Sequence, residues 1–188
     1  MAIEVEIKGV RLSLETAPGL FSPRKADAGT LAMLSRVDFA PGQRVLDLGC
    51  GYGVVGLVAA KLAGAGGVFL VDTDPQAVAV ARRNAAANGL EGLCIERSDG
   101  FNQFRETGFD LILCNPPYQA DFAVPKHFIE KGFNRLKLGG RLFMVTKREL
   151  WYRNKLTAIF GRVTVRHVDG YSVFEAIRRS QSYANKMV

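Results

Sequence analysis

The sequence predicts an α/β fold: a doubly wound, mostly parallel seven-stranded sheet with helices on both faces. One antiparallel strand comes from a C-terminal hairpin, and a short hairpin precedes the sheet. Three observations predict this. Apolar runs of strand length alternate with amphipathic helical stretches, the pattern of parallel βαβ units. A glycine-rich loop, Gly49-Cys50-Gly51-Tyr52-Gly53, joins one such run to a helix. A later run, Phe109-Asp110-Leu111-Ile112-Leu113-Cys114, ends abruptly at Asn115-Pro116-Pro117-Tyr118, because two prolines cannot continue a ladder.

The elements follow in order. Residues 3–7 and 11–15 alternate apolar and polar around Gly9, which reads as a hairpin. After a Pro/Gly loop, Asp27 caps a helix carrying Leu31, Leu34 and Val37 on one face. Arg44–Leu48 is a strand and Val54–Ala63 a helix; Gly67–Val71 is the next strand. Asp74-Pro75 reads as the N-cap and first residue of a helix ending at Asn88-Gly89. Leu93–Glu96 and Phe109–Cys114 are strands. Val124–Leu138 is a helix with Ile129, Phe133 and Leu136 inward, stopped by Gly139-Gly140. Arg141–Thr146 is a strand and Glu149–Phe160 a helix. Arg162–Val168 and Ser172–Arg178 close the chain as a hairpin around Asp169-Gly170. The whole reads as one domain: residues 1–40 hold the first hairpin and helix, 41–178 the core, and 179–188 a frayed tail.

The chain has 188 residues, 48% of them hydrophobic, enough for one full core. No apolar run approaches the roughly 20 residues that span a bilayer, and the acidic, alternating N-terminus reads as a strand, so no signal peptide is expected. Cys50, Cys94 and Cys114 lack metal spacing, so a reducing, cytoplasmic setting without disulfide or metal is expected. The net charge of +7 is uneven: residues 1–123 carry 11 Lys/Arg and 14 Asp/Glu, residues 124–188 carry 14 and 4. A basic half after the Asn-Pro-Pro-Tyr strand points to a polyanion such as RNA.

Gly51-x-Gly53-x-x-Gly56 matches the dinucleotide fingerprint of Rossmann-like folds, with Asp72 about 20 residues on for a ribose. Asp47, closing the strand beside the loop, argues against a pyrophosphate there, because like charges repel. It favours a ligand with an ammonium and no phosphate, such as S-adenosylmethionine. Asp72 then accepts from the ribose hydroxyls and Asp99 from the adenine amine, while Asp74 is a helix cap. The Asn-Pro-Pro-Tyr tetrad sits at a carboxyl-end sheet edge, where ligands bind in such folds. Asn115 and the Pro116 carbonyl are two acceptors for an –NH2 group, with Tyr118 as the aromatic that stacks on a planar partner.

With these features the chain resembles a class I S-adenosylmethionine-dependent methyltransferase, and more narrowly the small-methyltransferase-domain family, which includes the ribosomal RNA guanine-N2 enzymes. The resemblance runs over residues 3–178 and rests on Gly19-Leu20-Phe21-Ser22, the 47–53 loop, Val71-Asp72 with Ala81-Arg82-Arg83-Asn84, Asn115–Tyr118, Leu138-Gly139-Gly140, Leu150-Trp151-Tyr152 and Phe160-Gly161. It implies that Phe21 covers the cofactor, with Asp27 or Thr30 near its methionine end. It also implies that Asp47, Gly49, Gly51, Asp72, Thr73, Asp99, Gly100 and Asn115 contact it. Asn115, Pro116 and Tyr118 are the implied catalytic residues and Pro117 an acceptor contact. Lys126, Lys147, Arg148, Arg153 and Lys155 would hold RNA phosphates. Larger family members carry a second, inactive copy of the domain, for which 188 residues leave no room, and have Phe-His where this chain has Tyr118-Gln119.

The expected reaction is methyl transfer to an exocyclic base amine, guanine N2 of ribosomal RNA first among candidates. His127 and His167 read as surface or helix residues, so no general base is assigned. A protein-glutamine N-methyltransferase and a non-catalytic RNA-binding module remain alternatives, and monomer and homodimer are both open.

Overall fold

The computed structural model describes residues 1–118 and 121–185. The first hairpin is β1 (Ala2–Ile7) and β2 (Val10–Glu15), and α1 (Ala28–Leu34) follows. The core continues with β3 (Val45–Leu48), α2 (Val54–Ala63), β4 (Val68–Asp72), α3 (Pro75–Ala87), β5 (Cys94–Arg97) and β6 (Phe109–Cys114). It closes with α4 (Ala123–Arg135), β7 (Leu136–Thr146), α5 (Glu149–Phe160), β8 (Thr164–Val168) and β9 (Tyr171–Ile177).

The seven-stranded sheet has the order β5-β4-β3-β6-β7-β9-β8. Pairing is parallel from β5 to β7, and β9 enters antiparallel between β7 and β8. The chain leaves β3 toward β4 and later returns to its other side with β6. That reversal opens a crevice at the carboxyl ends of β3 and β6. All four residues of β3 are buried, as expected of a strand covered on both faces. One face packs Leu57, Val80 and Met33 of α1–α3 against Val45, Leu113 and Val145. The other packs Phe133 and Leu156 of α4 and α5 against Leu46, Ile112 and Met144.

Two asparagines of α3 hold the first hairpin. Asn84 accepts from Glu15 N (2.7 Å) and donates to Glu15 O (2.9 Å). Asn88 makes the same pair with Ser13, at 3.0 and 2.8 Å. Their side-chain amides thus act as a third strand along the free edge of β2. Asn84 also donates to Tyr52 O at 2.9 Å, fixing the glycine loop to the same point.

Four expectations are corrected. α1 ends at Leu34, so Leu31 faces solvent while Val37 is buried beyond the helix. α4 stops at Arg135, and Leu136 already pairs with Phe109 as part of β7. Gly139-Gly140 does not stop a helix; it lies inside β7, at a register shift between Phe109 and Leu111. A Cβ on Gly140 would fall 2.5 Å from Phe109 O, so only glycine permits that approach. The described part of the tail is docked, not frayed. The Tyr183 ring packs edge-on against Phe133 at 5.1 Å, and Ala184 N and Asn185 N donate to Ile159 O and Ala158 O, both at 2.9 Å.

Candidate active site

A cleft of about 380 Å³ opens at the carboxyl ends of β3, β4 and β6. Its floor is the glycine loop. Gly49 N and Cys50 N both donate to Val71 O at 2.9 Å, tying the loop to β4. Gly51 and Gly53 have φ of +55° and +102°, which lets the chain turn tightly before α2 begins. Of the residues implied as cofactor contacts, Phe21, Asp27, Thr30, Asp47, Gly49, Gly51, Asp72, Thr73, Asp99, Gly100 and Asn115 all line this cleft, as does Pro117.

Three acids are set there differently. Asp72 ends β4; its Oδ2 accepts from Gly51 N (2.8 Å) and its Oδ1 from Asp74 N (2.9 Å). An ionised carboxylate offers about four lone-pair sites, so two stay open toward a ligand. Asp99 Oδ2 accepts from Asn102 Nδ2 at 3.0 Å. Asp47 departs from expectation. It is buried, accepts from Gly56 N at 2.8 Å, and is no freely ionised carboxylate. Burial pushes its pKa up to about 7; the Gly56 bond opposes this and the charge of Asp72 adds to it.

Asn115 follows the last residue of β6. Its Nδ2 donates to Asp27 Oδ2 at 2.8 Å and to Thr30 Oγ1 at 3.1 Å. A carboxylate can only accept, so this network fixes which end of the amide carries nitrogen. Oδ1 is left buried without a hydrogen-bond partner. A buried, unmatched acceptor costs about 1–3 kcal/mol, so its retention calls for a functional reason. Asp27 thereby serves Asn115 while also capping α1, where it accepts from Thr30 N at 2.8 Å. This is a different task from the cofactor contact implied for it.

Pro116 and Tyr118 do not line the cleft. Pro116 is buried. The Tyr118 ring lies 6.3 Å from that of Phe21, tilted by 44°, at the rim. Its Oη is also buried and unpartnered, and would sit 3.2 Å from a Cβ on Gly29. Gln119 lies outside the described residues.

The basic candidates divide. Lys126 is exposed in the first turn of α4. The Lys147 ammonium lies 4.8 Å above the Tyr171 ring. The Arg148 guanidinium lies 4.2 Å above Phe122, which stacks on Trp151 at 4.4 Å. Arg153 and Lys155 are corrected as phosphate ligands: Arg153 pairs with Glu149, and Lys155 with Glu130 at 2.6 Å. His127 does not line the cleft; its Nε2 accepts from Phe101 N at 3.1 Å. His167 bonds Glu149 at 2.5 Å, away from the cleft.

Sequence reasoning missed Tyr52, Ala77, Ser98, Val124 and Phe128, which also line the cleft. Tyr52 matters most. Its hydroxyl donates to a pair of carbonyls, Ser22 O at 3.2 Å and Lys25 O at 3.3 Å, and so ties the glycine loop to the segment that roofs the cleft. Its place inside the glycine loop was the available signal. Among the described residues no cluster of His, Cys, Asp or Glu suits a metal ion, and no helix is long and apolar enough to cross a membrane.

Comparison with known proteins agrees with this geometry. The chain is 33% identical to ribosomal RNA small subunit methyltransferase C of Pseudomonas putida over 180 residues, 93% of this chain and 54% of that protein. It is 36% identical to the protein of the same name from Hahella chejuensis over 172 residues, 89% of this chain and 50% of that one. Among solved structures it superposes on the Thermus thermophilus 16S rRNA N2 G1207 methyltransferase, in complex with AdoMet and guanosine, with a TM-score of 0.84 and 30% identity, covering 95% of this chain and 50% of that one. The chain thus spans about half the length of these relatives. The methyltransferase small domain pattern matches residues 11–175, and with the cleft and the Asn-Pro-Pro-Tyr strand end it places the chain in the methyltransferase small domain family.

Proposed function

We propose that this chain is an S-adenosylmethionine-dependent N-methyltransferase acting on the exocyclic amine of guanine in ribosomal RNA. The carrying observation is Asn115: its donors are bound to Asp27 and Thr30, and its buried Oδ1 faces no partner. The residues present fit the cofactor. Asp72 keeps open lone pairs at the end of β4 for ribose hydroxyls, Asp99 can accept from an adenine amine, and buried Asp47 favours a cationic ligand once ionised. When bound, S-adenosylmethionine supplies a methyl group on a cationic sulfur.

The protein's contribution is positioning. The lone pair of an aromatic amine is delocalised into its ring. Asn115 Oδ1 accepts one amine hydrogen, fixing the nitrogen and favouring the pyramidal form; Pro116, which does not line the cleft, stiffens the backbone after Asn115. Asp27 and Thr30 hold the amide so that this acceptor does not rotate away. Orientation of this kind is worth several kcal/mol. His127 is not a base here: its Nε2 already accepts from Phe101 N, and burial lowers its pKa. The surplus proton of the amine leaves to water.

The test is radiolabelled methyl transfer to ribosomal RNA and protein from cells lacking the chain, followed by nucleoside analysis. Label in N2-methylguanosine is expected; label in protein glutamine overturns the proposal. Asn115→Ala should lower turnover by at least about 10²-fold, because a misplaced acceptor loses orientation. S-adenosylmethionine affinity, measured by calorimetry, should be nearly unchanged in that variant. A parallel loss of both would make Asn115 a structural residue.

A further inference from the structure

Ion pairs redistribute the charge of the basic half. Residues 124–188 hold 14 Lys/Arg and 4 Asp/Glu. Three of those acids are neutralised nearby: Glu130 by Lys155, Glu149 by Arg153, and Glu175 by Arg141. The fourth, Asp169, sits in the turn between β8 and β9. Among the described residues, Lys147, Arg148, Arg162, Arg166 and Arg179 have no carboxylate partner.

These cations are strung along one side of the sheet. β8 is its outermost strand. Arg166 pairs with Val173, which pairs with Val145, one step beyond the Cys114–Met144 pair. Arg166 is therefore level with Asn115, three strand spacings away, or about 14 Å. Lys147 and Arg148 follow the end of β7 and occupy the interval. Arg162 precedes β8, four residues or about 13 Å back along the edge. There a second cavity of about 400 Å³ is lined by Arg162, Arg179, Thr157, Thr164 and Glu175. Glu175 is already paired with Arg141 and the Thr157 hydroxyl donates to Arg153 O, so the cavity presents two free guanidinium groups and the Thr164 hydroxyl. That set suits phosphate oxygens.

We infer that the edge of β8, from Arg166 to the Arg162–Arg179 cavity, is a track for the RNA backbone beyond the acceptor guanine. The inference rests on the function proposed above. A line of unpaired cations leading from the clamp matches a chain of phosphates. A peptide would pair with the backbone edge of β8 and need no such line of charge. Edge cations can also serve only to discourage strand-to-strand association, and the experiment separates that role.

The probe is fluorescein-labelled single-stranded polyuridine, with binding followed by anisotropy across a salt series. The test protein is Arg162→Gln/Arg166→Gln/Arg179→Gln in the full chain. Losing three single-strand phosphate contacts should flatten the slope of log K against log salt by about 2 and weaken binding at least about tenfold at moderate salt. S-adenosylmethionine affinity should stay at the wild-type value, showing an intact fold. KM for undermethylated ribosomal RNA should rise, with kcat kept. A control, Lys8→Gln/Arg11→Gln/Arg36→Gln, should leave the slope unchanged. If the track variant keeps the wild-type slope, or the control flattens it equally, the track is overturned. If the wild-type protein neither binds polyuridine nor methylates RNA, the functional proposal fails first and takes the track with it.

Discussion

Asp47 is a carboxylic acid that the fold places out of reach of water, 3% exposed. Its pKa is about 7 in the folded chain against an ordinary 3.8, so the folded state holds a proton that the unfolded chain has released. The stability this contributes to the ligand-free protein is complete below the unfolded value and is lost as pH rises through about 7. A cationic ligand reverses the preference, because it stabilises the anion. S-adenosylmethionine affinity should therefore increase from about pH 6 to about pH 8, with proton release on binding. Calorimetry in buffers of different ionisation enthalpy reads both quantities. Asp47→Asn should flatten the pH dependence; a wild-type profile already flat would remove Asp47 from the site's electrostatics. Asn115 shows a second use of side-chain context. Its acceptor is poised only because residues 88 and 85 positions earlier occupy its donors.

Between elements, the contact of α2 with β4 turns on Gly56. A Cβ there would fall 2.3–2.6 Å from three side-chain atoms of Leu70. Gly56→Ala should lower stability by about 1–3 kcal/mol through overpacking, measured by denaturant unfolding. It should also weaken ligand binding, since Gly56 N is the amide that holds Asp47. In the sequence this glycine read as the third of a dinucleotide fingerprint; its work in the structure is packing. Most elements were legible because their signals are local. α2 and α5 begin and end where helical periodicity and the flanking glycines place them, and both hairpins sit on turn residues. What was illegible depends on distant partners. Leu136 belongs to a strand because Phe109 is beside it, and no local pattern announces that. Lys155 read as a free cation because Glu130 reaches it only once α4 and α5 pack; the partner of Arg153, Glu149, stands one turn back on the same helix and was legible but overlooked. The residues lining the cleft were legible as strand ends and glycines. The task of Asp27 was not, since it arises from contact with Asn115.

For the molecule as a whole, the described C-terminal residues join α4 to α5. Tyr183 donates to Glu130 O at 2.9 Å while its ring meets Phe133. Because Tyr183 is only partly buried, Tyr183→Ala should cost less than a fully buried aromatic, about 2 kcal/mol, read as a lower unfolding midpoint. A change within error would mean that the tail rests on the helices without holding them. At the opposite side of the molecule, the amide clasp on β2 has a chemical consequence. Asn88 is followed by Gly89, and an unhindered glycine nitrogen readily attacks an asparagine side chain, expelling ammonia. Here that side chain is engaged by Ser13 and by Asn84 O, which restrains it from cyclising. Deamidation would set a carboxylate against the Ser13 and Asn84 carbonyls, turning attraction into repulsion. The hairpin and the shelf life of the protein are guarded by the same few contacts.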